Sequence, residues 1–405
     1  MVRRIPSFQG NRKVFENMRA KVQKYLLYRG EDDRAIDAVA ATMISNVWRD
    51  TPPSWLLYLA PPGSGKTALV TLFQDPRVVA LSSLTPNSLI SGWRDSEGTD
   101  HSLLKKLNNR ILVLKDFTAI LTMSKEARDA IVGALRDAYD GEASKSFGNI
   151  GLMSYKSRFT VIGCVTPAYE HYYSITQQLG ERFLLIRLRS IDPREVGARA
   201  VKHLTGTNPN FAPARQACSH FLARMVVPRL EEFHATEEFE SRIVDLADLC
   251  AALRSHIYRD GRTRVITSAP SRETPGRLVK QLWVQAAAYA CCISSLEVGE
   301  RCYSHARRLA LDTLPEVSHA IMKAAYELSY LTASGIFNRK QLRIRTKLGS
   351  STVNTKVEDF IALGLFIPTG KSTSGPVKID PTVRDQIRSC ELWKRPMKRK
   401  PETKH

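Results

Sequence analysis

Apolar residues in the first fifty positions fall at helical spacing. Val14, Met18, Val22 and Leu26 recur every fourth residue, the stripe of a helix packed on one side. Asp50-Thr-Pro-Pro then breaks the pattern. From Trp55 the chain changes to short apolar runs, WLLYLA, RVVALS, RILVLKD, FTVIGCVT and RFLLIRL, each followed by a polar or helix-patterned stretch. Continuous apolar runs of strand length predict strands buried on both faces, hence a mostly parallel sheet covered by helices. This block ends near Arg189. From 190 to about 325 the pattern is helical, as in SRIVDLADLCAALRSHIYRD and GRLVKQLWVQAAAYACCISSLE. GIFNRKQLRIRTKLGSSTVNTKVEDFIALGLFIPTGKSTSGPVKID predicts helix, turn, helix and two short strands. The basic, proline-containing end predicts disorder.

These shifts divide the 405 residues into an expected helical N-terminal extension (1–50), an α/β core (51–190), a helical region (191–328), a helix-turn-helix domain with a wing (329–390) and a basic tail (391–405). No run approaches the roughly 18 apolar residues needed to span a bilayer, so no membrane partner is expected. The first residues have no apolar segment of the kind a secretory signal needs. The seven cysteines are scattered, with no C-x-x-C pair. That argues against a disulfide framework or zinc site and for a cytoplasmic location, where thiols stay reduced. Cys291 and Cys292 lie in an apolar helical run, as packing residues do. The formal net charge of +20 points to a polyanionic partner, nucleic acid above all.

The stretch LLYLAPPGSGKTALV has the parts of a phosphate-binding loop: strand, glycine-rich turn, helix. In such a loop, backbone N–H groups cradle phosphate oxygens. Pro62, Gly63, Ser64 and Gly65 form the turn; Lys66 reaches the β- and γ-phosphates and Thr67 places its hydroxyl on Mg²⁺. ATP and Mg²⁺ are therefore the expected cofactors. Ala60 stands where the pattern has its first glycine. A second strand should deliver a carboxylate beside this loop, and RILVLKDF offers Lys115 and Asp116 in place of two acids. Either Asp116 serves the metal and water is activated elsewhere, or Asp116 fills the second position and Lys115 replaces the metal ligand.

At this point the chain resembles a family. APPGSGKT is similar to the P-loop of AAA+ ATPases. The order of later pieces resembles the helicase branch that includes the minichromosome maintenance proteins, and the LKDFT core looks like ATPases of phages and other mobile elements. The resemblance spans roughly residues 55–295. It implies an AAA+ P-loop core with a helical lid and a C-terminal winged-helix domain, assembled as a ring, with six subunits expected. It implies that Thr166, where the family more often has asparagine, is the first sensor. Arg182 in LGERFLLIRL becomes the arginine finger acting on a neighbour's nucleotide, and Arg277 in ETPGRLVKQL the second sensor. The KDF segment departs from the family's acidic pair.

Two regions are candidates for DNA. A hairpin over 143–160 carries Lys145, Lys156 and Arg158, with Phe147 and Tyr155 as stacking groups, and would line a pore around single-stranded DNA. In the C-terminal block, Gly349 sits in the turn and Ser350 is the expected cap. Val353, Val357, Phe360 and Ile361 form the buried face of the second helix. Ser351, Thr352, Asn354, Thr355 and Lys356 face outward toward duplex phosphates and base edges, and Lys371 belongs to the wing. The expected function is an ATP-dependent, ring-forming DNA translocase or helicase serving replication of a phage or mobile element. The alternative is a non-motor relative, a helicase loader or nucleotide-switched DNA-binding regulator with weak hydrolysis.

Overall fold

The computed structural model describes residues 8–26, 28, 30–148, 151–178, 182–189, 192–205, 211–332, 334–370 and 374–394. Its contacts divide into two compact units, Met1–Thr236 with Lys280–Thr313, and Glu237–Val279 with Leu314–His405.

The first unit opens with helices α1 (Asn11–Tyr25) and α2 (Arg34–Ser45). There follow β1 (Trp55–Leu59), α3 (Lys66–Leu72), β2 (Val78–Leu81), α4 (Leu103–Leu107), β3 (Ile111–Leu114), α5 (Thr118–Leu121) and α6 (Lys125–Tyr139). A hairpin of β4 (Glu142–Phe147) and β5 (Gly151–Lys156) leads to β6 (Thr160–Val165), α7 (Tyr169–Gln178), β7 (Phe183–Arg187), α8 (Pro193–Leu204) and α9 (Ala212–Arg224). The second unit contains α10 (Glu237–Arg254), and the division between units falls within α11 (Gly276–Cys292). α12 (Glu300–Thr313) returns to the first unit. The second then has α13 (Glu316–Leu331), α14 (Arg339–Thr346), α15 (Ser350–Ala362), β8 (Phe366–Pro368), β9 (Val377–Ile379) and α16 (Pro381–Ser389).

Five of these strands form one parallel sheet in the order β2-β3-β6-β1-β7. Such a parallel sheet among many helices fits an α/β NTPase-like fold. All residues of β1, β3 and β6 are buried, as their unbroken apolar runs require. Gly163 in β6 has no room for a side chain: a Cβ there would meet Leu57 Cδ2 at 2.9 Å. Trp55 anchors the core, with ring centroids 5.1 Å from Tyr139, 5.7 Å from Phe159 and 5.1 Å from Phe183. Its indole N–H is satisfied by the Phe159 carbonyl at 2.8 Å.

An edge strand with unpaired N–H groups invites pairing with other chains. On β7 those groups are taken by side chains. Leu185 N–H donates to Thr313 Oγ1 at 2.9 Å and Arg187 N–H to Asp312 Oδ2 at 3.0 Å. Beyond the strand, Arg189 N–H donates to Asp32 Oδ1 at 3.0 Å.

In the second unit α14 and α15 pack together and on α13. β8 and β9 pair antiparallel, and a further bridge joins Phe337 to Val377. α14 begins with a reciprocal capping box between Asn338 and Gln341, which satisfies two orphan backbone donors. The N-cap of α15 is Gly349, with Ser350 as the first helical residue and no side-chain cap. This corrects the expected cap at Ser350. Among the described residues no helix is long and apolar enough to cross a membrane. All seven cysteines are buried, with no disulfide.

Candidate functional site

The strand order decides what meets at the C-terminal edge of the sheet. β6 lies between β1 and β3. The turn after β1 (residues 60–65), the segment after β3 (115–118) and Thr166 after β6 therefore open onto one crevice, where open α/β sheets bind ligands.

The turn after β1 has the shape that phosphate requires. Gly63 and Gly65 stand at φ 77° and 82°, a region that side chains disfavour. A Cβ on Gly65 would also approach Leu26 Cδ2 at 3.3 Å. α3 starts at Lys66, so its first N–H groups have no partner within the helix. The Ser64 hydroxyl oxygen is buried without a hydrogen-bond partner among the described residues, which leaves a donor for an anion. The Lys66 ammonium rests on the loop's own carbonyls, Ala60 at 2.8 Å and Pro61 at 2.9 Å. Burial lowers its pKa, opposed by the Asp116 carboxylate. Burial also pushes the Cys164 thiol up to about 12, so it stays a neutral packing group. Thr67 is exposed at the mouth. These residues fit a nucleotide phosphate. Thr67 and Asp116 fit a hard cation such as Mg²⁺, which binds through one or two protein oxygens and completes its shell with phosphates and water.

The two residues after β3 face different ways. Asp116 is exposed, caps the following turn through Ala119 N–H at 3.2 Å, and acts electrostatically on Lys66. Lys115 lines a separate cleft of about 280 Å³ with Val70, Phe73, Asp75 and Val78. Thr166 N–H donates to Thr118 Oγ1 at 3.0 Å. Thr118 was not singled out from the sequence; its only signal is its place two residues after Asp116. Leu26 and Tyr28, which pack beneath Gly65, were missed as well, because nothing local links them to the loop.

The remaining sequence-selected residues lie elsewhere. Arg182 precedes β7, whose Phe183 is in register with Trp55. It is thus at the opposite end of the sheet from its own phosphate loop, roughly 16 Å away at about 3.3 Å per residue. It is 7% exposed, paired with Asp140, and its guanidinium lies 5.6 Å from the Tyr139 ring centroid. Arg277 is the second residue of α11, half-buried, in the second unit.

The hairpin turns Lys145, Phe147 and Tyr155 inward. Lys145 donates to Asn87 Oδ1 at 3.0 Å, and Tyr155 donates to Asp100. Burial opposes ionisation of Asp100, yet hydrogen bonds from Tyr155 and Ser102 hold its pKa down to about 2. Phe147 packs against the core. Arg158 lies beyond β5, donates to the Thr51 carbonyl at 2.9 Å, and has its pKa lowered by burial to about 10. Of the three hairpin cations only Lys156 is fully exposed. On α15, Thr352 and Asn354 are exposed, whereas Lys356 pairs with Asp359 at 3.1 Å. Lys371 and the end of the tail, 395–405, lie outside the described residues.

No protein-family model matches this chain, and no curated protein matches it. Among solved structures it is similar to a candidate ATPase from Cytophaga hutchinsonii. The TM-score is 0.44 and the identity 14%, over 76% of this chain and 88% of that one. A likeness at this level carries no weight on activity.

Proposed function

We propose that this chain is an ATP-dependent DNA translocase or helicase that works as a ring, in replication of a phage or mobile element. The observation that carries the ATPase part is the convergence of Lys66, Asp116 and Thr166 on one crevice at the edge of a parallel sheet. In this reading Lys66 leaves the carbonyls of Ala60 and Pro61 for the β- and γ-phosphates. Thr67 and Asp116 would hold Mg²⁺, which would supply charge stabilisation to the transferring phosphoryl group. Thr166 orients the attacking water or the γ-phosphate. The DNA part is supported by the net charge of +20 and by the resemblance to helicase-branch AAA+ proteins. It is supported also by the second unit's helix, turn, helix and paired strands, which fit a winged helix.

One observation favours a second reading. Only Asp116 of the Lys115-Asp116 pair acts on Lys66, while Lys115 lines the cleft beside α3. A site with one acid suits slow hydrolysis, as in a loader or nucleotide-switched regulator. Forked-duplex unwinding by the purified chain with ATP and Mg²⁺ separates the two. Strand separation without a second helicase supports the motor. Slow ATP turnover without any separation supports the loader or switch.

A further inference from the structure

The nine residues Arg339–Lys347 carry five arginines and lysines and no acid. Two of these cations are structural. Arg345 pairs with Glu327 at 2.7 Å, and Arg339 donates to the carbonyls of Ser374 and Gly375 at 2.8 and 2.9 Å. Lys340, Arg343 and Lys347 are different: all three are exposed and, unlike the exposed Arg345, make no ion pair among the described residues. Lys340 and Arg343, with Ile344, which is 66% exposed, fall at i, i+3 and i+4. That spacing puts these three on one helix face, opposite the fully buried Leu342. Lys347 is the C-cap just beyond α14, in the left-handed region at φ 58°, and the rise from Lys340 to it is roughly 10 Å at about 1.5 Å per residue. Beside it a cleft of about 270 Å³ between α14 and α15 is lined by Arg339, Lys340, Arg343, Ser350, Val353 and Asn354. Among the described residues, three cations and no carboxylate line this cleft.

We infer that this α14 face, and not Lys356 of α15, seats the sugar-phosphate backbone of duplex DNA. Lys340 and Arg343 take phosphate oxygens at the cleft, Lys347 takes a phosphate further along, and Asn354 reaches toward base edges from the cleft's far wall. Three features favour DNA over an acidic protein. The exposed neighbours Ser351, Thr352 and Asn354 are neutral hydrogen-bonding groups suited to phosphates and bases. Among the described residues of α14 and α15, Ile344 is the one exposed large apolar side chain, without the apolar centre a protein interface needs. The rise from Lys340 to the cap residue Lys347 matches that of about three nucleotides of one strand, at about 3.4 Å each. Lys356 is already paired with Asp359 and lies 5.9 Å from the Phe360 ring centroid. This inference rests on reading the second unit as a duplex-binding domain.

The test is fluorescence anisotropy of a labelled duplex with the full chain over a salt series. Lys340→Ala/Arg343→Ala should weaken binding at least about tenfold and reduce the slope of log affinity against log salt by about 2, one per lost phosphate contact. Lys340→Arg/Arg343→Lys should keep the slope, and DNA-independent ATP turnover should be unchanged in both. Lys356→Ala should change affinity by less than about twofold. If Lys356→Ala loses binding and the double variant does not, α15 carries the phosphates and the inference is overturned while the duplex reading survives. If the wild type fails to bind duplex even at low salt, the duplex reading itself falls. If poly-glutamate binds the wild type as tightly as duplex, and the same variants lose it, the face takes acidic proteins and the inference also falls.

Discussion

Thr118 and Thr166 hold each other across two strands: the hydroxyl of Thr118 accepts the backbone N–H of Thr166 at 3.0 Å and lies 3.5 Å from its hydroxyl. The pair fixes the end of β6 against the segment that carries Asp116. Thr118→Val keeps the shape but removes the acceptor, leaving a partly buried N–H unpaired at a cost of about 1–3 kcal/mol. We expect kcat for ATP hydrolysis to fall about tenfold with KM nearly unchanged, and Thr118→Ser to restore most of it. An equal rise in KM alone would show that the pair shapes binding and not the reacting geometry.

Asp116 and Lys115 should separate cleanly. Asp116→Ala removes the carboxylate that acts on Lys66 and should abolish Mg²⁺-dependent turnover. Lys115→Ala changes only the cleft beside α3 and should leave turnover within about threefold, since it touches no reacting group. If Lys115→Ala is the more damaging change, the metal-facing position of the segment is misassigned.

Arg182 is buried and paired with Asp140 in its own subunit. To act on a neighbour's nucleotide it would first have to leave that pair. We expect Arg182→Ala and Asp140→Asn both to lower thermal stability, Arg182→Ala by about 1–3 kcal/mol through lost packing on Tyr139 as well as lost charge. Arg182→Ala subunits should keep ATP turnover where they stay folded, and mixing them with Lys66→Ala subunits should add none. Restored turnover, with Asp140→Asn fully active, would make Arg182 the finger that the sequence resemblance implies.

Asp37 gives a pH signature. Burial pushes its carboxyl up to about 6, against the pull of Arg19, its 2.9 Å ion-pair partner. A carboxyl harder to ionise folded than unfolded contributes stability below its unfolded pKa near 4. That contribution is lost as pH rises through about 6. Asp37→Asn keeps an acceptor for Arg19 without the buried charge. Its melting temperature relative to wild type should therefore rise by about 2–6 °C between pH 4 and pH 7. A pH-independent difference would contradict the buried-charge account.

The strands were legible because their signal is local. WLLYL, ILVL, TVIGCV and FLLIR are continuous apolar runs, and each is a strand of the parallel sheet. The phosphate loop was legible for the same reason. What lies far apart in sequence was not. Period-two alternation fixes that Lys145 and Tyr155 share a hairpin face, but not that this face packs inward. Asn87 and Asp100 decide that, and no pattern near 145 points to them. Arg158 looked like a hairpin cation until its tie to Thr51 placed it beyond the strand. On α14 the cations were visible, yet which were free depended on Glu327 and on the carbonyls of Ser374 and Gly375.

The most direct test of the central claim is steady-state ATP turnover by wild type and Lys66→Ala, each with and without single-stranded DNA. Lys66 makes its contacts to the loop carbonyls of Ala60 and Pro61 and is a point charge for phosphate rather than a core residue. The account predicts Mg²⁺-dependent turnover by wild type that single-stranded DNA stimulates severalfold. It predicts none above background from a folded Lys66→Ala chain under either condition. Equal turnover by the two proteins would remove the phosphate loop as the catalytic site, and a wild type indifferent to DNA would contradict the motor.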